Sequence, residues 1–152
     1  MVAVDFTVHH EFSVEPNTLW DAMIDWEGHG EWIPATRVEI DSGDPTAIGG
    51  RFTGYTGYGP LTLVDHMVVK QIDWDDEAST GFCEVEKIGP LLAGTAGFTV
   101  SPTAHGSQIE WFEKVTVDRI PSILNVFEAP VSKIGALGFS LAMKSLDRSL
   151  SA

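Results

Sequence analysis

Cysteine is nearly absent from this chain: Cys83 stands alone among 152 residues. No internal disulfide can form, and a secreted, cross-linked scaffold gains no support. Basic residues are scarce too, since nine Lys and Arg face 22 Asp and Glu for a formal net charge of −13. A field of that sign repels phosphate backbones and anionic lipid surfaces, so nucleic acid is not an expected partner. The same acidity keeps a protein soluble when it carries apolar surface. Long apolar runs are missing as well. The longest stretch without Asp, Glu, Lys or Arg, Ile88 to Ile109, is broken by Pro90, Pro102 and glycines, whereas a spanning helix needs ~20 mainly apolar residues. Met1 to His10 has neither the basic nor the apolar region of a signal peptide. The expectation is a cytoplasmic protein without stable membrane insertion, present as a monomer or weak homodimer.

The usual catalytic signatures are also missing. His9 and His10 are adjacent on a strand and point to opposite faces, while His29, His66 and His105 are scattered. No metal is expected. Gly49-Gly50 and Tyr55-Thr-Gly-Tyr-Gly lack the lysine and the strand-to-helix context of a phosphate-binding loop. No serine stands in a nucleophile elbow. Cys83 has Glu84 and Glu86 beside it, which disfavours a thiolate. No cofactor is expected either.

What the chain does have is a globular make-up: 43% hydrophobic and 20% charged residues, which excludes a disordered or low-complexity reading. The length fits a single domain over 1–152, enough for a real core or a lined cavity. Val2, Val4, Phe6, Val8, His10, Phe12 and Val14 alternate with polar neighbours, the pattern of a long half-buried strand. After Pro16 the period becomes helical through Leu19, Trp20, Met23 and Ile24. Trp26 to Trp32 reads as a second short helix or turn. Strands are then expected at Thr36–Asp41, Gly50–Tyr58, Leu61–Trp74, Thr80–Ile88, Gly94–Val100 and Gln108–Asp118, with turns at Gly59-Pro60 and Gly89-Pro90 among others. Pro121 opens a final helical segment that Pro130 interrupts and that continues from Val131 to about Leu150. It carries two apolar stripes, Ile134, Leu137, Leu141 and Ala142 on one side and Phe139, Met143, Leu146 and Leu150 on another. Such a helix should be covered on two sides. The order is β–α–α–β6–α.

That order, with Phe12-x-Val14-x-x-x-x-x-Trp20, Asp25-Trp26, Trp32-x-Pro34, Gly49-x-x-Phe52, Asp65-x-Met67-x-Val69 and Trp111-x-Glu113, resembles the START/Bet v 1-like (SRPBCC) superfamily, in its polyketide cyclase/dehydrase and lipid-transport group. The resemblance implies an α+β helix-grip fold, in which a curved seven-stranded antiparallel sheet wraps a long C-terminal helix around an elongated cavity. It also implies a small hydrophobic molecule, lipid-like or polyketide-like, as partner. Fold does not choose between carriage and catalysis.

His10 and Glu113 stand where apolar residues are expected on the first and last strands. The resemblance implies that the first and last strands pair antiparallel, and counting inward from the strand ends then places His10 near Trp111 and diagonal to Glu113, ~7–8 Å apart at the backbone. They are candidates for an acid/base dyad, or for a satisfied core pair. Arg51 and Asp65 could anchor a ligand oxygen or form surface ion pairs. Tyr55 and Tyr58 could donate to a ligand carbonyl, and Trp32 is the tryptophan placed to touch a ligand. An apolar pocket of at least ~300 Å³ is expected, walled by Val8, Phe12, Phe98, Trp111, Ile134, Leu137 and Leu141. Three functions stay open: a small-molecule carrier or sensor, a cyclase/dehydrase-type enzyme, and a partner-binding module with a collapsed cavity.

Overall fold

A computed structural model describes residues 2–118 and 128–152. β1 (Val2–Phe12) leads into α1 (Pro16–Ile24), whose first turn accepts Pro16 because the missing N–H has no helical partner there. The second short helix is a 3-10 turn, Glu27–Glu31. Six strands follow: β2 (Thr36–Ser42), β3 (Arg51–Thr56), β4 (Leu63–Asp75), β5 (Thr80–Ile88), β6 (Leu92–Thr103) and β7 (Gly106–Val117). A 3-10 turn at Gly59–Leu61 joins β3 to β4. α2 (Glu128–Ser151) closes the chain. Pro130 lies in the first described turn of α2, where proline is tolerated. Pro121 lies outside the described residues.

The strands form one antiparallel sheet in the order β1-β7-β6-β5-β4-β3-β2. β1 therefore returns beside β7, and everything between them is built from consecutive neighbours. The inner face carries the alternating apolar residues of each strand, among them Val8 and Phe12, Phe52, Val85, Phe98 and Val100, and Ile109 and Trp111, all buried. Trp20 of α1 lies against Gly81 of β5, where a Cβ would meet its ring at 2.4 Å. α2 packs mainly along β1. Gly135 makes the approach possible, since a Cβ there would stand 2.8 Å from the Phe6 ring. Asp5 N–H donates to Ser132 Oγ at 3.1 Å, and His10 meets Asp147 at 3.0 Å further along.

This docking corrects one expectation. α2 is covered on one side, not two. Ala142, Met143 and Leu146 are buried and Phe139 packs against them, but Ile134, Leu137 and Leu141 are 69%, 61% and 53% exposed. A helix lying along the sheet's β1 edge offers one stripe and Ala142 to the sheet and leaves Ile134, Leu137 and Leu141 in solvent.

Candidate functional site

A cavity lies on the inner face of the sheet, beneath the 3-10 turn at Glu27–Glu31 and one residue of α2. Trp26, Phe52, Phe98, Trp111 and Phe139 make most of its apolar wall, with Val38, Met67 and Val85. The rings are stacked in pairs: Trp26 on Phe52 at 4.4 Å, Phe98 on Trp111 at 5.6 Å, and Trp111 on Phe139 at 4.9 Å between centroids. These rings take up much of the space, and the cavity measures about 120 Å³ instead of the 300 Å³ expected. It opens past Thr56 and Leu63, both exposed.

One end of this wall is charged. Lys87 of β5, Asp65 of β4 and Glu113 of β7 all face inward and all line the cavity. The Lys87 ammonium donates a short hydrogen bond to Asp65 Oδ2 and stands 3.6 Å from Glu113 Oε2. Lys87 and Glu113 belong to strands separated by β6, which carries Gly94 opposite Lys87 and Ala96 opposite Glu113. Those small side chains leave the two long ones room to meet over the sheet. Lys87 and Glu113 are 7% and 6% exposed. Burial raises the Glu113 carboxyl above the ordinary range, and Asp65 adds to this against the pull of Lys87. Burial works against the Lys87 charge, but the two carboxylates outweigh it and hold the ammonium above its usual pKa.

Two fully buried polar atoms of wall residues, Asp65 Oδ1 and Trp111 Nε1, complete no well-formed hydrogen bond among the described residues. The Trp111 N–H points towards the Glu113 carboxyl and draws its pKa down. His29 is a further polar member. Burial lowers its pKa from 6.5 to about 4, against the opposing pull of the Met23 carbonyl and Asp25, so the ring is neutral at pH 7. Its Nε2–H donates to the Met23 carbonyl at 2.7 Å, which leaves Nδ1 as an acceptor. Cys83 also lines the cavity, but burial, with Glu84 beside it, pushes the thiol up to about 12. It is no nucleophile at neutral pH.

The residues expected at the site divide accordingly. Asp65, Phe98, Trp111 and Glu113 line the cavity. Val8 and Phe12 are core residues off its wall, and Ile134, Leu137 and Leu141 are in solvent. Trp32 is buried against the His29 ring at 4.8 Å, and Trp26 takes the wall position instead. Arg51 is exposed at the start of β3, while Tyr55 lies under the Arg37 guanidinium at 4.4 Å. Tyr58 is 79% exposed. His10 is not brought to Glu113. The register sets it opposite Ile109, with Val8 opposite Trp111 and Phe6 opposite Glu113, two residues from the count along the sequence. Its partner is Asp147 of α2. Lys87 is not among the residues expected at the site, although Cys83, Val85 and Lys87 alternate on one face of β5. Among the described residues no group of His, Cys, Asp and Glu is arranged to hold a metal ion, and no helix is long and apolar enough to cross a membrane.

Comparison with known proteins decides the family. The family model for polyketide cyclase/dehydrase and lipid transport matches residues 3–145. The chain belongs to that family. No curated protein matches its sequence. Among solved structures, a hypothetical protein, jhp0584, from Helicobacter pylori is similar at a TM-score of 0.73 and 12% identity, over 97% of this chain and 86% of that one. TTHA0849 from Thermus thermophilus is similar at 0.69 and 14% identity, over 97% and 96% of the two chains. Ara h 8.0201 is similar at 0.57 and 17% identity, over 95% and 98%. At such identities the likeness is one of fold. The fold is the Bet v 1/START-like helix grip, an open curved sheet of seven strands with a C-terminal helix.

Proposed function

We propose that this family member binds a small hydrophobic molecule in the cavity under the sheet. The observation that carries the reading is the cavity itself: stacked aromatic walls closed at one end by Lys87, Asp65 and Glu113, and open past Leu63. Ligand sites are typically apolar with a few convergent polar groups. At about 120 Å³ the enclosed part suits a group near the size of one ring, since a cavity of about 150 Å³ accepts benzene. A lipid-like or polyketide-like ligand would bury one end there and leave the rest at the opening. The test is native mass spectrometry of freshly purified protein, with a toluene titration followed by tryptophan fluorescence, since Trp26 and Trp111 border the cavity. A co-purified ligand, or a saturable change with toluene, is expected. A protein that carries nothing and gives no saturable change would contradict the reading.

Glu113 favours a second reading. A buried carboxyl with a raised pKa, 3.6 Å from an ammonium and facing an apolar cavity, suits proton transfer on a bound ketone, as in a cyclase or dehydrase. Glu113→Gln keeps the shape and removes the titrating proton. On any ligand that turns over, the rate should fall by roughly 10²–10⁴-fold with affinity little changed. Unchanged turnover removes Glu113 from the mechanism, and saturable binding without turnover in either protein leaves the carrier reading.

A further inference from the structure

The polar groups of the cavity constrain what it holds, on the reading that it binds a small hydrophobic molecule. The N–H and O–H donors on its described side-chain wall are already committed within the protein. The Trp26 N–H donates to the Pro45 carbonyl at 2.6 Å, and the His29 Nε2–H to the Met23 carbonyl at 2.7 Å. At the opening the Thr36 hydroxyl donates to the Pro34 carbonyl at 3.0 Å, which leaves the Thr56 hydroxyl to donate to Thr36 Oγ1 at 3.1 Å. The Trp111 N–H points towards Glu113, and the Lys87 ammonium is shared between Asp65 and Glu113. What remains is acceptor capacity. His29 is neutral at pH 7 and keeps an acceptor at Nδ1. A carboxylate offers about four acceptor sites, whereas Glu113 receives the Trp111 N–H and, at 3.6 Å, the Lys87 ammonium. Its side chain lines the cavity and keeps 8% of its surface accessible. Asp65 contributes charge without a contact, since Oδ1 is enclosed and Oδ2 is taken by Lys87.

The charge balance has the same sign as this surplus of acceptors. One ammonium stands against two carboxyl groups, and it only partly offsets the burial of Glu113. A second cation beside Glu113 would act in the same direction as Lys87. We propose that the buried end of the ligand carries a protonated amine, which donates to the Glu113 carboxylate while its apolar body lies against Phe98, Trp111 and Phe139. Aromatic walls favour a cation over a neutral polar group. A ketone or an ether would find no donor to spare beyond the third N–H of Lys87 and the weak S–H of Cys83. A carboxylate would add a further anion to the cluster.

The experiment is calorimetric titration of the intact protein, at pH 7 and physiological salt, with benzylamine, benzyl alcohol, ethylbenzene and acetophenone. The first three are close in shape and end in an ammonium, a hydroxyl and a methyl group, and acetophenone only accepts. A purely apolar cavity ranks ethylbenzene first, because the ammonium gives up the most hydration. Here benzylamine should bind about tenfold more tightly than ethylbenzene, and more tightly than the other two. Glu113→Gln keeps the shape and removes the charge, and it should erase that advantage while ethylbenzene still binds. Benzylamine no tighter than ethylbenzene or benzyl alcohol overturns the assignment and leaves the hydrophobic cavity standing. Acetophenone ahead of benzylamine makes Lys87 the anchor and overturns it as well. So does a benzylamine preference that survives Glu113→Gln, since it then reflects the acidic exterior. Failure of all four probes to bind overturns both readings. If the variant fails to fold, the wild-type ranking at raised salt decides, because salt screens surface charges far more than buried ones.

Discussion

At Lys87 one ammonium group is held between two carboxyl groups in a setting that is otherwise aromatic. The pairing is what allows any of the three to be buried, because an isolated charge there would be very costly. Lys87→Met should therefore destabilise the protein by about 3–5 kcal/mol, since it leaves two carboxyl groups without their cation. Adding Asp65→Asn and Glu113→Gln should recover most of the loss, and urea unfolding of the two variants measures the difference. His29 gives a second residue-scale expectation. Its folded-state pKa is about 4 against 6.5 for the free side chain, so between those values the unfolded chain binds more protons. Stability is then complete above pH 6.5 and falls as the pH drops towards 4, by about 3 kcal/mol from this group. His29→Gln should flatten that part of the stability profile; an unchanged slope would mean that His29 titrates normally.

Between elements, packing turns on where small residues permit contact. Gly81 accepts the Trp20 ring with Trp74 beside it. Gly81→Ala should cost about 1–3 kcal/mol by overpacking, read from thermal unfolding. The α2 stripe yields a further check: Leu137→Gln and Leu141→Gln should change stability by no more than about 0.5 kcal/mol and leave toluene binding intact, whereas residues walling the cavity would not tolerate the change. β1 and β7 were legible as strands because they alternate cleanly, and so was the shared facing of Glu113 and Trp111; the pairing of the two strands came from the family resemblance. The facing of α2 was not legible, since both stripes are equally apolar and only the docking along β1 chooses between them. A shift of two residues in the β1–β7 register carries His10 from Trp111 to Ile109 and into reach of Asp147. No pattern in either strand sets that offset. Lys87 sits in the charged run Glu84-x-Glu86-Lys87, which reads as a solvated edge until its alternation with Cys83 and Val85 is followed.

Over the whole molecule the charge of −13 sets the exterior. Neither duplex DNA nor anionic vesicles should retain the protein at physiological salt, and retention that weakens as salt rises would contradict this. The inner face of the sheet is the part that bears on function. Met67 lines the cavity, whereas Met23 and Met143 are fully buried elsewhere in the core. Labelling the methionine methyl groups with carbon-13 therefore places a reporter inside the proposed site and two controls outside it. On titration with toluene the Met67 methyl resonance should move saturably and further than those of Met23 and Met143. A Met67 resonance that stays in place, or one that moves linearly with the two controls, would contradict binding in this cavity.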